Sequence, residues 1–208
     1  PLAVAAIIVS TAPVQGASTS WQDLGGGKAR MLAQLDPSTG VVEGLVEIAL
    51  YEGWKTYWRE PGGSGIPPQF DFSRSRGFAA GEVEFPLPRS LSAGGSRFAG
   101  YRGRGLVPLT REALGANGGI SLEMLAGGCG EICIPATVSF EIPLADLNGS
   151  DPEAASLWAS ARMALPGQPR VDLRVEEASV AEASVRVQAI IPEGAKQPEL
   201  FIEGPEGW

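Results

Sequence analysis

The sequence contains no histidine and only two cysteines in 208 residues. A zinc site takes four ligands, and no further Cys or His is present to complete one. No stretch reaches the roughly 18 apolar residues of a membrane-spanning helix. Direct membrane insertion of this piece is therefore not expected, and any attachment would lie outside it. Basic runs are missing too, and 16 Lys and Arg against 24 Asp and Glu leave a net charge of −8. That balance argues against nucleic acid as a partner. The glycine-rich run Gly62–Gly65, with Lys55 nearby, lacks the Gly-Lys-Ser/Thr ending and the following helix of a phosphate loop.

What is present points to a globular, turn-rich, β-leaning chain: 44% hydrophobic residues with 28 Gly and 17 Pro. The length allows one large or two small domains. Pro1–Ala17 is apolar and uncharged. It reads either as the remnant of an export signal, ending near Val14-Gln15-Gly16 or Gln15-Gly16-Ala17, or as an N-terminal strand over Val4–Val9. An export signal would place the chain where disulfides persist.

Farther along, Gly25-Gly26-Gly27 marks a turn and Ala29–Gln34 a short strand, and Asp36–Gly40 is a second turn. Val41–Tyr51 alternates cleanly, with Val42, Val46, Ile48 and Leu50 on one face and Glu43 and Glu47 on the other. This is the pattern of a half-buried antiparallel strand. From Gly53 to Phe72, dense aromatics give way to Gly and Pro, so a strand end runs into a long ordered loop. Trp54 and Trp58 either plug one end of a sandwich or flank a recognition surface. Val83–Phe85 and Leu106–Leu109 read as short strands, with Ser92–Gly103 between them as a glycine-rich loop. Asn148-Gly149-Ser150 is a linker, followed by Asp151 as N-cap, Pro152 at the first helical position, and a helix to Ala164 with Leu157, Trp158 and Ala161 on one face. Strands resume at Val171–Val175, Val185–Ile191 and Glu199–Glu203. The expected organisation is thus a signal remnant or strand over 1–20, a β-sandwich over 21–149, and a linker helix with the start of a second β-domain over 150–208.

Both cysteines fall in Gly127-Gly128-Cys129-Gly130-Glu131-Ile132-Cys133-Ile134-Pro135, four positions apart. An extended chain separates such residues by about 13 Å, whereas a disulfide needs Cα atoms within roughly 4.4–6.8 Å. The thiols can bond only across a turn. Alternation in Ile120–Leu125 and Val138–Leu144 predicts a β-hairpin with one cysteine on each arm and Gly130-Glu131-Ile132 as its loop. Closing so small a ring constrains the unfolded chain by only about 2 kcal/mol. Dithiol–disulfide chemistry, a structural bridge and metal binding all remain open from residue types alone. For metal, Cys-x-x-x-Cys-x-Pro resembles copper chaperones of the SCO type, which complete their site with a distant histidine that this chain lacks. Met124 offers a soft ligand for Cu(I), although Met on an apolar strand face is ordinarily core.

Taken together, Gly53–Pro68 (GWKTYWREPGGSGIPP), Pro86-Leu87-Pro88-Arg89, Gly100-Tyr101 and Cys129–Pro135 make residues Trp21 to Leu144 resemble the N-terminal periplasmic domain of the DsbD/ScsB family of transmembrane thiol-disulfide reductases. The resemblance implies a mainly β fold, an immunoglobulin-like antiparallel sandwich. It also implies a protein-disulfide reductase activity carried by Cys129 and Cys133, with no cofactor beyond the redox-active disulfide and no metal. Electrons would come from a membrane-embedded or thioredoxin-like donor domain of the same parent protein and pass to periplasmic thioredoxin-fold proteins. The piece would then be the periplasmic, soluble part of an inner-membrane protein. Three residues between the cysteines is the ScsB-like spacing, and that branch is linked to copper tolerance. In DsbD an acidic pair and an aromatic cap the disulfide. Here Ser96-Arg97-Phe98-Ala99-Gly100 takes that place, so a shielding role carries over to Phe98 and Gly100 but not to the acidic pair. Tyr57, Tyr101, Glu131 and Pro135 are supporting positions. Two alternatives stay in view, a binding or adhesion sandwich with a structural disulfide and a copper(I)-handling domain.

Exchange needs a thiolate, an accessible sulfur and a resolving thiol within reach. The spacing of Cys129 and Cys133 supplies the last. Glu131 opposes thiolate formation, and the loop carries no cation. Activation is expected from backbone amides, from Arg97 or Arg102, or from the partner.

Overall fold

The alternating segments form two antiparallel sheets packed face to face in the computed structural model. It describes residues 15–204 apart from positions 37, 64, 94, 116, 149–151, 182 and 183. The readings of Val4–Val9 as a strand and Asp151 as a helix cap lie outside the described residues. The first sheet contains β1 (Gln15–Ser18), β2 (Gln22–Asp23), β3 (Gly27–Leu35), β4 (Val41–Leu50), β7 (Glu82–Val83) and β10 (Arg104–Glu112). Its order is β1-β3-β4-β10-β7, with β2 also on β3. The second contains β5 (Lys55–Tyr57), β6 (Gln69–Asp71), β8 (Arg89–Ala93), β9 (Ser96–Arg102), β11 (Gly119–Cys129) and β12 (Cys133–Pro143). It runs β12-β11-β5-β9-β8, with β6 pairing farther along β11. The chain is mainly β and has the antiparallel, immunoglobulin-like sandwich expected of it.

The inter-sheet core draws Met31, Val42, Val46, Ile48 and Leu109 from one sheet and Ile120, Leu122, Met124, Phe140 and Ile142 from the other. Alternation fixes the register of these strands, because a slip by one residue would turn every one of these side chains to the opposite face.

Four local expectations are corrected. Strand β4 is covered on both faces rather than one. The helix α1 (Pro152–Ala164) lies against its outer side, where Ala154, Leu157, Trp158 and Ala161 pack on Leu32, Leu45 and Leu106. Glu47, read as a solvated position, is fully buried and paired with Arg30 Nε at 2.7 Å and Arg104 Nε at 2.8 Å. A buried carboxylate persists only with such partners. Second, Ser92–Gly103 is not a loop. It belongs to the β8–β9 hairpin, whose turn Gly95 makes with φ 82°. Third, the expected long loop from Gly53 to Phe72 contains two short strands, β5 and β6. Fourth, Glu199–Glu203 has no ladder partner among the described residues. Side chains hold it instead, through Phe201 edge-on to Trp58 at 5.8 Å and Glu203 accepting from Arg59 Nε at 2.8 Å. The remaining strands, β13 (Arg174–Ala181) and β14 (Ser184–Ile190), make a separate two-stranded hairpin beyond α1.

Candidate redox site

The register of β11 and β12 runs without a shift from Gly119↔Pro143 to Cys129↔Cys133, and Gly130-Glu131-Ile132 closes the hairpin. The last pair is a disulfide with Cα atoms 4.1 Å apart. This is close to the spacing of a non-hydrogen-bonded antiparallel pair, where side chains stand nearest each other.

Along β11 the even residues Ile120, Leu122, Met124 and Ala126 enter the inter-sheet core. Cys129 therefore faces the other way, onto the outer surface of the sheet. There it joins a satellite cluster with Tyr57, Leu91 and Phe98, with Ile66 packed against it. Met124, considered as a copper ligand, lies on the opposite face from the sulfurs.

The glycines around Cys129 make room for aromatic rings. A Cβ on Gly127 would stand 3.1 Å from Ile66 and 3.2 Å from the Tyr57 ring. On Gly128 it would meet Gly26 Cα at 3.2 Å, and on Gly130 the Trp54 ring at 3.3 Å. The glycines thus let Tyr57 close on one side of the hairpin tip and Trp54 with Gly26 on the other. Gly100 has a matching role, because a Cβ there would come within 2.2 Å of Thr56 O and 3.0 Å of the Phe98 ring. Phe98 sits 4.8 Å from Tyr57, centroid to centroid.

Tyr57 makes the polar contact. Its Oη is 2.8 Å from Cys129 Sγ and 3.2 Å from Cys133 Sγ. Neither sulfur of a disulfide carries a proton, so the hydroxyl is the donor to both. Burial raises the Tyr57 pKa above the ordinary tyrosine value, which keeps the donor proton in place at neutral pH. The two sulfur-bearing residues differ in access: Cys129 is 0% exposed, whereas Cys133 is exposed.

Cations lie beside them. Cys129 pairs with Lys55, and Lys55 with Arg102. Residues paired across strands share a face, so the row Cys133, Cys129, Lys55, Arg102 crosses the outer surface. Positive charge there favours a thiolate over a thiol. Arg97 falls on the other face of β9, next to Ala99 of the inner side, and its guanidinium donates to Ser90 Oγ at 2.8 Å. Of the two arginines considered for activation, only Arg102 shares the sulfurs' face. Tyr101 also points inward, its hydroxyl donating to Pro86 O at 2.8 Å. Glu131 and Pro135 are exposed, one at the loop and the other on β12.

Such a pair, with one cysteine buried beneath Tyr57 and Phe98 and the other exposed, fits sulfur exchange. A family model for the N-terminal domain of the thiol:disulfide interchange protein DsbD matches residues 28–145. The chain belongs to this family. Among solved structures it is similar to the N-terminal periplasmic domain of ScsB from Proteus mirabilis, at 22% identity and a TM-score of 0.73, covering 92% of this chain and 76% of that one. The DsbD N-terminal domain of Neisseria meningitidis in its reduced form also matches, at 17% identity and a TM-score of 0.34, covering 52% of this chain and 89% of that one. No curated protein matches the chain by sequence. As a member of the DsbD N-terminal family, the chain is a thiol-disulfide exchange domain whose working group is the disulfide itself.

Sequence reasoning left Leu91, Ile66 and Lys55 out of the site and gave Tyr57 only a supporting place. The Gly-Gly step before Cys129 was the available signal, since paired small residues at a strand end mark where large ones close in.

Proposed function

We propose that this DsbD-family domain relays electrons in the periplasm. It would take them from a membrane-embedded or thioredoxin-like dithiol donor of its parent protein and hand them to thioredoxin-fold proteins, acting as a protein-disulfide reductase. In this reading residues 21–149 are the exchange unit, and residues 150–208 begin a second β-unit. The shielding role carried to Phe98 and Gly100 is part of the same proposal, supported by their packing around Tyr57 and Cys129.

The observation that carries the reading is the asymmetry of the pair. A donor thiolate attacks Cys133 Sγ, the accessible sulfur. A new disulfide forms between donor and Cys133 while the Cys129–Cys133 bond breaks. The bonding electron pair stays on Cys129 Sγ, where the Tyr57 hydroxyl donates to the nascent thiolate and Lys55 and Arg102 flank it. The donor's second thiolate then attacks its own bonded sulfur and releases Cys133. The donor ends as a disulfide, and this domain ends reduced by two electrons, its thiols taking protons from water. Delivery runs the same steps in reverse, with Cys133 attacking the substrate disulfide and Cys129 resolving the intermediate.

Trapping tests the assignment. With an oxidised thioredoxin-fold protein, the Cys129→Ala variant should accumulate a mixed disulfide through Cys133, and Cys133→Ala should accumulate little. Equal trapping by both variants would refute the order of attack, and no trapping by either would remove the relay.

A further inference from the structure

We propose that the free edge of β12 from Cys133 to Thr137 is a docking strand, on which an extended segment of the partner's chain pairs main chain to main chain while its cysteine exchanges with Cys133. The inference rests on the redox reading above and adds how the partner is held.

Strand β12 is the outer strand of its sheet. Which of its backbone groups face outward can be read from Ser139. The Gln22 side-chain amide bonds this residue twice, Nε2 donating to Ser139 O and Oε1 accepting from Ser139 N at 3.2 Å. Ser139 therefore turns both backbone groups away from β11, as a non-hydrogen-bonded position does. Cys133, Pro135 and Thr137 share its parity. The 4.1 Å Cα separation of Cys129 and Cys133 independently places that pair in the same class. The N–H and C=O of Cys133, the C=O of Pro135 and the N–H and C=O of Thr137 thus point to the open side. None of these groups has a hydrogen-bond partner among the described residues, and all three residues are exposed. Pro135 falls where its missing N–H takes no bond from β11.

The chemistry decides the occupant. A mixed disulfide at Cys133 holds the partner's Cα within roughly 4.4–6.8 Å. A residue opposite Cys133 across the free edge would form a hydrogen-bonded antiparallel pair, with a Cα separation of about 5.5 Å. The bond that must form during exchange therefore brings the partner's backbone to strand-pairing distance from an edge with five unpaired groups. Strand addition of this kind reads backbone rather than side chains, which suits a domain that meets a donor and several acceptors. Gln22 ends the docking strand: its amide occupies Ser139 as a neighbouring strand would, and the edge open to a partner stops at Thr137.

The test uses the oxidised domain and two synthetic octapeptides, each with one central cysteine in a β-branched sequence. They are identical except that the second carries N-methyl groups on the amides that would face β12. The rate of opening of the Cys129–Cys133 bond is followed for each, with glutathione as a thiol too short to pair. The parent peptide is expected to react about tenfold faster than its N-methyl copy, from the loss of two modest hydrogen bonds. In the peptide adduct of the Cys129→Ala variant, the amides of Cys133 and Thr137 should gain protection from hydrogen exchange, and that of Ser139 should not change. Equal rates for the two peptides, or adduct protection elsewhere than β12, would overturn the docking strand. So would a dimer of this chain paired through its own β12 edges. If no thiol opens the bond, glutathione included, the redox reading itself fails.

Discussion

Two hairpins of this protein, β11–β12 and β13–β14, are built from similar sequence patterns and end in different circumstances. In β11–β12 one face closes on the inter-sheet core, and at its tip the other face carries the aromatic cluster around the sulfurs. Eleven residue pairs run in unbroken register. In β13–β14 the ladder shifts between Val175 and Glu177, and Val175 and Val180 remain 53% and 73% exposed. Alternation alone therefore makes a hairpin, while a buried face holds it to one register. A site that must keep two sulfurs at bonding distance needs the second condition.

Substitutions can sharpen or break this comparison. The largest effect is expected at Phe140, which is 1% exposed in β12. Phe140→Ala should cost about 3–5 kcal/mol in denaturant unfolding, and a loss below about 1 kcal/mol would show that the first hairpin is no better anchored than the second.

Removing the sulfurs should cost less than that. The Cys129→Ala/Cys133→Ala double variant is expected to lose about 2 kcal/mol of stability and all exchange activity. Thermal melts alongside partner reduction check both, and global unfolding would return the bond to a structural role.

Tyr57→Phe separates chemistry from packing. The ring stays, and the hydroxyl that donates to both sulfurs goes. Exchange should slow roughly tenfold, because a hydrogen bond to a developing thiolate is lost, while stability should move by less than about 1 kcal/mol. An unchanged rate would make Tyr57 a packing residue only. The same ring gives a pH dependence. Burial raises Tyr57 and Tyr101 above their unfolded values, so the folded state holds these protons longer. Their contribution is complete below about pH 10 and declines as the pH rises beyond it. Urea midpoints between pH 8 and pH 11 should therefore fall only at the upper end, and the fall should shrink in Tyr57→Phe.

The smallest effect is expected in the second hairpin. Val180→Thr should change stability by no more than about 0.5 kcal/mol. A larger loss would mean that Val180 is covered in solution by something outside the described residues.

What could be read from the sequence follows the same division. The cysteine hairpin, its three-residue loop and helix α1 were legible because periodicity, turn residues and a ring-size constraint act locally. The cover over β4 was not, since α1, which packs on Leu45, lies more than a hundred residues along the chain, and the burial of Glu47 rests on Arg30 and Arg104 from two other strands. Glycines hid the β8–β9 hairpin: Gly95 serves its turn, whereas Gly100 serves the close approach of Phe98. The contact between Tyr57 and Cys129 spans 72 positions, and no local pattern announces it. Glu199–Glu203 has a strand's composition but, among the described residues, no ladder partner, so side chains fix it instead.

Because Cys129 faces outward, the bond that breaks and re-forms lies on the side of the sheet away from Phe140, Leu122 and Met31. Tyr57, Phe98, Leu91 and Ile66 cover it there as a thin layer, separate from the filling between the sheets. The scaffold is in effect an insulator. A change at the sulfurs is therefore expected to fall on that one layer first, with the sheet itself standing between it and the inter-sheet filling.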